Sequence, residues 1–209
     1  MYAVLPEDRR AAFAEDFAVP RGTLERLDAY VALLTEWQTR FNLVGVSTLP
    51  QVWDRHIRDS AQLLALSSRG LTWLDIGAGG GFPGLVLAAM TDDRFHLVES
   101  VGKKAKFLTA AAEAMGVADR VVVHNARVEA LPAFPVGVIT ARACAALPQL
   151  FDWGLRFSKA STLWVLPKGA SVTAEIDLAR KRFDFEADLV PSQTDGEARI
   201  VMAKGVRRR

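Results

Sequence analysis

The stretch 71–84, Leu-Thr-Trp-Leu-Asp-Ile-Gly-Ala-Gly-Gly-Gly-Phe-Pro-Gly, limits the possible folds more than any other part of the chain. Leu71 to Ile76 is short, apolar and partly β-prone, the composition of a strand buried on both faces. Gly77, Gly79 and Gly81 let the backbone turn sharply and approach a bound molecule that a Cβ would push away. Pro83 suits the first turn of a following helix, where its missing N–H has no helical partner in any case. Strand, glycine loop and helix in this order make a ligand cradle at the carboxyl end of a sheet strand.

The glycines permit two registers. Gly79-Gly80-Gly81-Phe82-Pro83-Gly84 fits the dinucleotide pattern G-x-G-x-x-G, whereas Asp75-Ile76-Gly77-Ala78-Gly79-Gly80-Gly81 fits D-x-G-x-G-x-G, the pattern of Rossmann-like S-adenosylmethionine-dependent methyltransferases. Asp75 favours the second. A pyrophosphate wants free N–H groups and a helix N-terminus, so a carboxylate at the lip of the turn is unwelcome. S-adenosylmethionine carries an ammonium and a sulfonium, and a nearby carboxylate helps hold such a cation. Glu99 ends the next expected strand, 24 residues beyond Asp75, close to the ~20-residue spacing of an acid that binds ribose hydroxyls. Both NAD and S-adenosylmethionine carry an adenosine ribose, so Glu99 supports a nucleoside without choosing between them.

The 209 residues suit one domain with or without an extension, and half are hydrophobic, which argues against extensive disorder. The single cysteine, Cys144, rules out an internal disulfide and fits a reducing compartment. The first twenty residues show acids and no apolar secretion segment, and no run approaches the length of a membrane span, so the expected location is cytoplasmic. Net charge is only +2, too small by itself to indicate nucleic acid. Basic clusters at Arg55-His56-Ile57-Arg58, Gly102 to Lys106 and Lys204 to Arg209 read as solvated faces or a frayed tail unless they meet around one cleft.

Two parts are expected: an N-terminal helical extension over 1–70 and a sheet-bearing domain over 71–209. Glu7 to Phe17 and Thr23 to Thr39 read as amphipathic helices, with Thr23 as N-cap and Pro20-Arg21-Gly22 as the break. A third helix is expected from Pro50 to about Leu66. Thereafter strands are expected at 71–76, 95–99, 120–124, 136–141 and 162–166, with helices at 83–90, 102–115, 148–157 and 171–182. The segments 184–190 and 198–203 flank Thr194-Asp195-Gly196 as an antiparallel hairpin.

On these residues the chain resembles the ribosomal RNA small subunit methyltransferase G family, also called the glucose-inhibited division protein B family. The resemblance runs from about residue 30 to the C-terminus. It rests on Trp37 with Phe41-Asn42-Leu43, Arg55-His56-Ile57 with Asp59-Ser60, the Asp75–Gly84 string, Glu99 to Lys104, Phe107-Leu108, Arg127-Val128-Glu129, Ala141-Arg142-Ala143 and Lys168-Gly169. It implies an α/β, Rossmann-like class I methyltransferase fold with a mostly parallel seven-stranded sheet, a C-terminal antiparallel hairpin and the N-terminal helical extension. It also implies S-adenosylmethionine as cofactor and methylation of N-7 of one guanine in 16S rRNA, free or in a small-subunit precursor, by a monomer. Carried over by position, cofactor contacts fall on Gly77, Phe82, Val128, Glu129 and Arg142, beside Asp75, Gly79, Gly81 and Glu99 from the loop pattern. Where many relatives have an aspartate before the fourth strand this chain has Val136, and Cys144 stands where some carry a bulkier aromatic.

Guanine N-7 has an in-plane lone pair and no proton to lose, so the reaction needs no general base. His56, His96 and His124 are scattered in the sequence and show no metal-ligand spacing; no metal is expected. The remaining task is positioning, and Arg142 is the candidate for orienting the guanine, through O-6 or a phosphate, or the cofactor's methionine end. His56 and Asp59, at i and i+3, read as a helix-surface pair. Similarity to the family makes them, with Asn42, candidates to pin the extension against the cofactor loop. A methyltransferase with a different acceptor, an NAD oxidoreductase and a non-catalytic nucleotide-binding protein remain the alternatives.

Overall fold

The computed structural model describes residues 6–209; residues 1–5 of the N-terminal stretch read above lie outside them. Helices α1 (Pro6–Asp16) and α2 (Arg21–Gln38) come first. Thr23 does not cap α2. Pro20 holds the N-cap position at φ −61°, ψ 149°, a conformation its ring favours. Its carbonyl takes the amides of Thr23 and Leu24 at 3.0 and 3.1 Å, so the helix starts two residues earlier than expected.

The expected third helix is four short pieces. A 3₁₀ turn, Val46–Gln51, holds Pro50 inside it; a π turn, Trp53–Arg58, follows; then α3 (Asp59–Ala61) and a second 3₁₀ turn, Gln62–Leu66. Pro50 has no N–H to give an α-helical ladder, and wide π turns are commonly found where a helix is shaped for function. Here the wide turn carries His56 and the residues after it inward.

The sheet contains β1 (Thr72–Ile76), β2 (Arg94–Val98), β3 (Val121–His124), β4 (Val138–Thr140), β5 (Leu163–Lys168), β6 (Phe183–Pro191) and β7 (Arg199–Arg208). Its order is β3-β2-β1-β4-β5-β7-β6. Strands β1 to β5 are parallel, and β7 runs antiparallel to both β5 and β6. Helices α4 (Gly84–Met90), α5 (Gly102–Ala114), α6 (Leu147–Gly154) and α7 (Val172–Arg180) supply the crossovers. The seven-stranded arrangement and terminal hairpin agree with the sequence reading. The C-terminal Arg cluster does not fray: β7 extends to Arg208, with Arg208 on Asp152 and Arg207 and Arg209 on Asp184.

One core lies on each sheet face. Phe13, Leu27, Tyr30, Trp53 and Ile57 of the extension share an interior with Trp73, Leu87, Phe95 and Phe107, while Trp164, Phe151, Phe157 and Phe183 fill the opposite side. Chain order reverses between β1 and β4, which pair with opposite neighbours onward. Such a switch point leaves a crevice at the carboxyl ends of the strands, and both the Gly77 loop and Arg142 emerge there.

Candidate active site

Two cavities meet above this switch point. The larger, about 740 Å³, is bounded by the glycine loop, the end of β2, the 3₁₀ turn Val128–Ala130 and the Leu43 to Val46 segment of the extension. The second, about 600 Å³, lies beyond β4 and β5 under the β6–β7 turn. His56, Arg142, Ala143 and Cys144 line both.

The glycine loop is held from three sides. Gly77 has φ +72°, and a Cβ there would run into Cys144 Sγ; Gly81 has φ +93°, and a Cβ would meet Leu85 Cδ1 at 2.5 Å and the Tyr30 hydroxyl at 2.9 Å. Both positions therefore exclude a side chain by conformation and by space. Tyr30, fully buried on α2, donates its hydroxyl to the Gly80 carbonyl. Glu99 closes the loop from β2: Oε2 accepts the Gly79 amide at 3.0 Å and Oε1 the Val101 amide at 2.7 Å. Each carboxylate oxygen keeps a further lone pair for a ligand in the cavity.

Asp75 does not sit at the lip of the turn. It is fully buried beneath the loop and does not line either cavity. Its Oδ2 accepts the Gly84 amide at 3.0 Å, while Oδ1 makes no hydrogen bond among the described residues. Burial raises its pKa to about 7, against the lowering effect of the Gly84 N–H and Arg142; Glu99 adds to the rise. The chain's own carboxyl occupies the start of α4, where a dinucleotide fold would receive pyrophosphate, so a diphosphate is disfavoured by occupancy of that amide.

Arg142 follows β4 and is only 16% exposed at its side chain. Its Nη1 donates to the Arg55 carbonyl and to Asp59 Oδ2, both at 3.2 Å, and Nη2 donates to His56 Nδ1 at 2.8 Å. The guanidinium lies 4.9 Å from the Phe82 ring centroid, and the His56 ring stacks on the same Phe82 at 4.8 Å. A guanidinium only donates, which fixes the tautomer: His56 Nδ1 accepts, so Nε2 carries the proton and donates to Thr48 Oγ1 at 2.8 Å, whose hydroxyl donates to the Gly45 carbonyl at 2.7 Å. Burial first, then Arg142 and Arg55, lower the His56 pKa to about 3. Ala143, next to Arg142, has φ +50°, a strained conformation for a residue with a Cβ and common at functional sites.

These two shifts act oppositely on stability. The Asp75 pKa is raised from 3.8, so its protonated form stabilises the fold at acid pH and that contribution is lost as pH rises through about 7. His56 is lowered from 6.5, so its contribution is lost as pH falls through about 3, and the two slopes offset each other in between. Urea titrations should show wild-type stability minus that of Asp75→Asn falling by a few kcal/mol between about pH 4 and about pH 7. A difference that stays flat over that range contradicts the buried-carboxyl assignment.

Of the residues expected from sequence, Gly77, Gly79, Phe82, Glu99, Val128, Glu129 and Arg142 line the larger cavity, and Asp75 and Gly81 do not. His56 and Asp59 are not a helix-surface pair: both grip Arg142 from the extension. His96 and His124, 28 residues apart in the sequence, come together in the fold: they stack at 5.2 Å with Nδ1 and Nε2 2.9 Å apart, away from the cavities. Sequence reasoning missed Tyr30, Thr48 and Thr194, whose partners lie 50, 8 and 135 residues away. No spacing rule brings them together, and only the folded extension and hairpin do so.

Described residues contain no helix long and apolar enough to cross a membrane. By shape, the chain is similar to an O-methyltransferase from Bacillus cereus in complex with SAH (TM-score 0.60, 16% identity, 92% of this chain and 96% of that one). It is also similar to a mutant of MtNAS in complex with S-adenosylmethionine (TM-score 0.61, 17% identity, 96% and 77%). At such identities these likenesses show the class I methyltransferase fold alone. By sequence it is 44% identical over 194 residues to the ribosomal RNA small subunit methyltransferase G of Rhizorhabdus wittichii, covering 91% of this chain and 89% of the relative. The same-named protein of Methylobacterium sp. (strain 4-46) is 45% identical over 205 residues, 95% of each chain. The family model described as rRNA small subunit methyltransferase G matches residues 23–200. With that match across most of its length, the chain belongs to the rRNA small subunit methyltransferase G family.

Proposed function

We propose that this protein transfers the methyl group of S-adenosylmethionine to N-7 of a guanine in small-subunit ribosomal RNA. The observation that carries this reading is the junction of two cavities at Arg142 and His56. The larger one fits the cofactor. Its volume lies in the range of small-molecule sites, Glu99 stands at the β2 end for ribose hydroxyls, Gly77 lets the loop pack its bare backbone against Cys144 at the cavity wall, and Val128 and Phe82 offer apolar walls. Glu129, exposed after β3, is in reach of an adenine edge by analogy with the family. Bound there, S-adenosylmethionine supplies an electrophilic methyl group on a sulfonium.

The chain's own residues then hold and orient. Arg142 has three hydrogen bonds committed within the protein, so two of its five N–H groups remain for an acceptor in the second cavity. Guanine O-6 or a phosphate suits it, since an N–H on N-7 itself would occupy the attacking lone pair. His56 is neutral with its sole acceptor nitrogen taken by Arg142, which excludes it as a base in this arrangement. N-7 alkylation requires none, and alignment of lone pair and methyl group contributes up to ~7–11 kcal/mol. Arg55, Lys168 and Arg199 line the second cavity, the first two paired with Asp195 and Glu175, and with Arg142 they give it an excess of donors for the phosphates around an unstacked base.

Mapping of methylated positions by mass spectrometry in RNA from cells with and without the gene tests the reading. The expected result is loss of one 7-methylguanosine from small-subunit rRNA, restored by purified protein with S-adenosylmethionine. Transfer to a different atom or acceptor overturns it, as does a flat calorimetric titration with S-adenosylmethionine beside clear NADH binding.

A further inference from the structure

One wall of the second cavity comes from remote chain: Ser192, Thr194 and Asp195 of the β6–β7 turn line it beside the extension. Three side chains of the extension hold that turn: Arg55 Nη1 pairs with Asp195 Oδ2 at 3.6 Å, and Asp59 and Gln62 make hydrogen bonds to it. Asp59 Oδ1 accepts the Thr194 hydroxyl at 2.7 Å and Gln62 Nε2 at 2.9 Å. Gln62 Oε1 accepts the Gln193 amide at 2.8 Å, and its Nε2 reaches Ser192 Oγ at 3.3 Å. Asp59 Oδ2, the other carboxylate oxygen, takes Arg142 Nη1 at 3.2 Å. The Asp59 side chain is 18% exposed and Gln62 is buried, so most of this network is shielded from water and its hydrogen bonds gain strength accordingly. Neither Asp59 nor the turn lines the cofactor cavity.

We propose that Asp59 is a positioning residue that couples the turn 192–198 to Arg142, so that the acceptor wall and the aim of the guanidinium are set together. The inference rests on the second cavity being the acceptor site. A carboxylate is uniquely suited to the role because both oxygens only accept. An Asn at this position presents an N–H either to Arg142 Nη1 or to Gln62 Nε2, donor against donor, so either amide orientation loses one arm. Thr194→Val removes the direct Thr194–Asp59 bond and the contact between the Ser192 and Thr194 hydroxyls while Gln62 still holds the turn, and Thr194→Ser keeps the hydroxyl.

Steady-state methylation of small-subunit RNA, calorimetry with S-adenosylmethionine and amide hydrogen exchange test the coupling. Thr194→Val should raise KM for RNA about tenfold and lower kcat about threefold while cofactor Kd stays within about twofold, and Thr194→Ser should restore wild-type KM and kcat. Asp59→Asn should raise KM and also lower kcat about tenfold, with the double variant no worse than Asp59→Asn alone. In Asp59→Asn the Gln193 and Thr194 amides should exchange faster while those of the loop 77–84 do not change. A wild-type KM in Thr194→Val, a parallel fall in its cofactor affinity, additive kinetics or unchanged exchange in the turn each overturns the coupling. The exchange measurement judges it without any RNA, whereas a wild-type enzyme that methylates no RNA overturns the acceptor reading.

Discussion

Arg142→Ala is expected to lower kcat/KM for RNA methylation by about 10²–10³-fold. The substitution removes the group that faces both cavities. It also leaves Asp59 Oδ2 and His56 Nδ1 without their donor, which costs about 1–3 kcal/mol for each polar group left shielded and unpaired. Arg142→Lys should not rescue activity. An ammonium on a flexible stem cannot span the Arg55 carbonyl, Asp59 and His56 in one plane while stacking on Phe82. With the positive charge gone, the His56 pKa should move upward from about 3, since Arg142 is the second cause of its lowering after burial. Single-turnover assays with an NMR titration of His56 read both effects. A lysine variant with near wild-type turnover would show that charge alone, not the planar fork, is what the site uses.

The second large effect belongs to the cofactor side. Glu99→Ala should weaken S-adenosylmethionine binding about a hundredfold by calorimetry, from loss of charge-assisted bonds to ribose and release of two loop amides. Those amides, Gly79 and Val101, now bond the two Glu99 oxygens. Glu99→Gln should fall between wild type and alanine, because one amide oxygen still accepts while the NH₂ opposes an N–H. Equal affinities for wild type and alanine would mean that the ribose lies elsewhere in the cavity.

How far the sequence could be read depended on whether a signal was local. The strand, glycine loop and helix at 71–90 were legible because each step is a nearest-neighbour demand: apolar run, positive φ, helix start. Glu99 was legible because a parallel crossover has a nearly fixed length. Asp75 was recognised as important, but its direction was not readable. Its side chain turned inward because the Gly84 amide lies beneath the loop, a contact made only once α4 folds back. The extension was the least legible part. Pro50 suggested a helix start, yet the segment needed 3₁₀ and π turns to bring His56 under Arg142. Hydrophobic periodicity cannot show such changes of winding, and the Thr194 tie across 135 residues left no trace in it.

Because the interior that begins at Phe13 runs without a break to Ile200, the N-terminal helices are not a detachable recognition module. Trimming them strips one side of the sheet as well as part of the cavity wall, so a single cooperative melting transition is expected, with no separate transition for the N-terminal helices. Exchange of the whole N-terminal segment would cost the scaffold its stability, so any change tolerated there has to keep the apolar side chains that face the sheet.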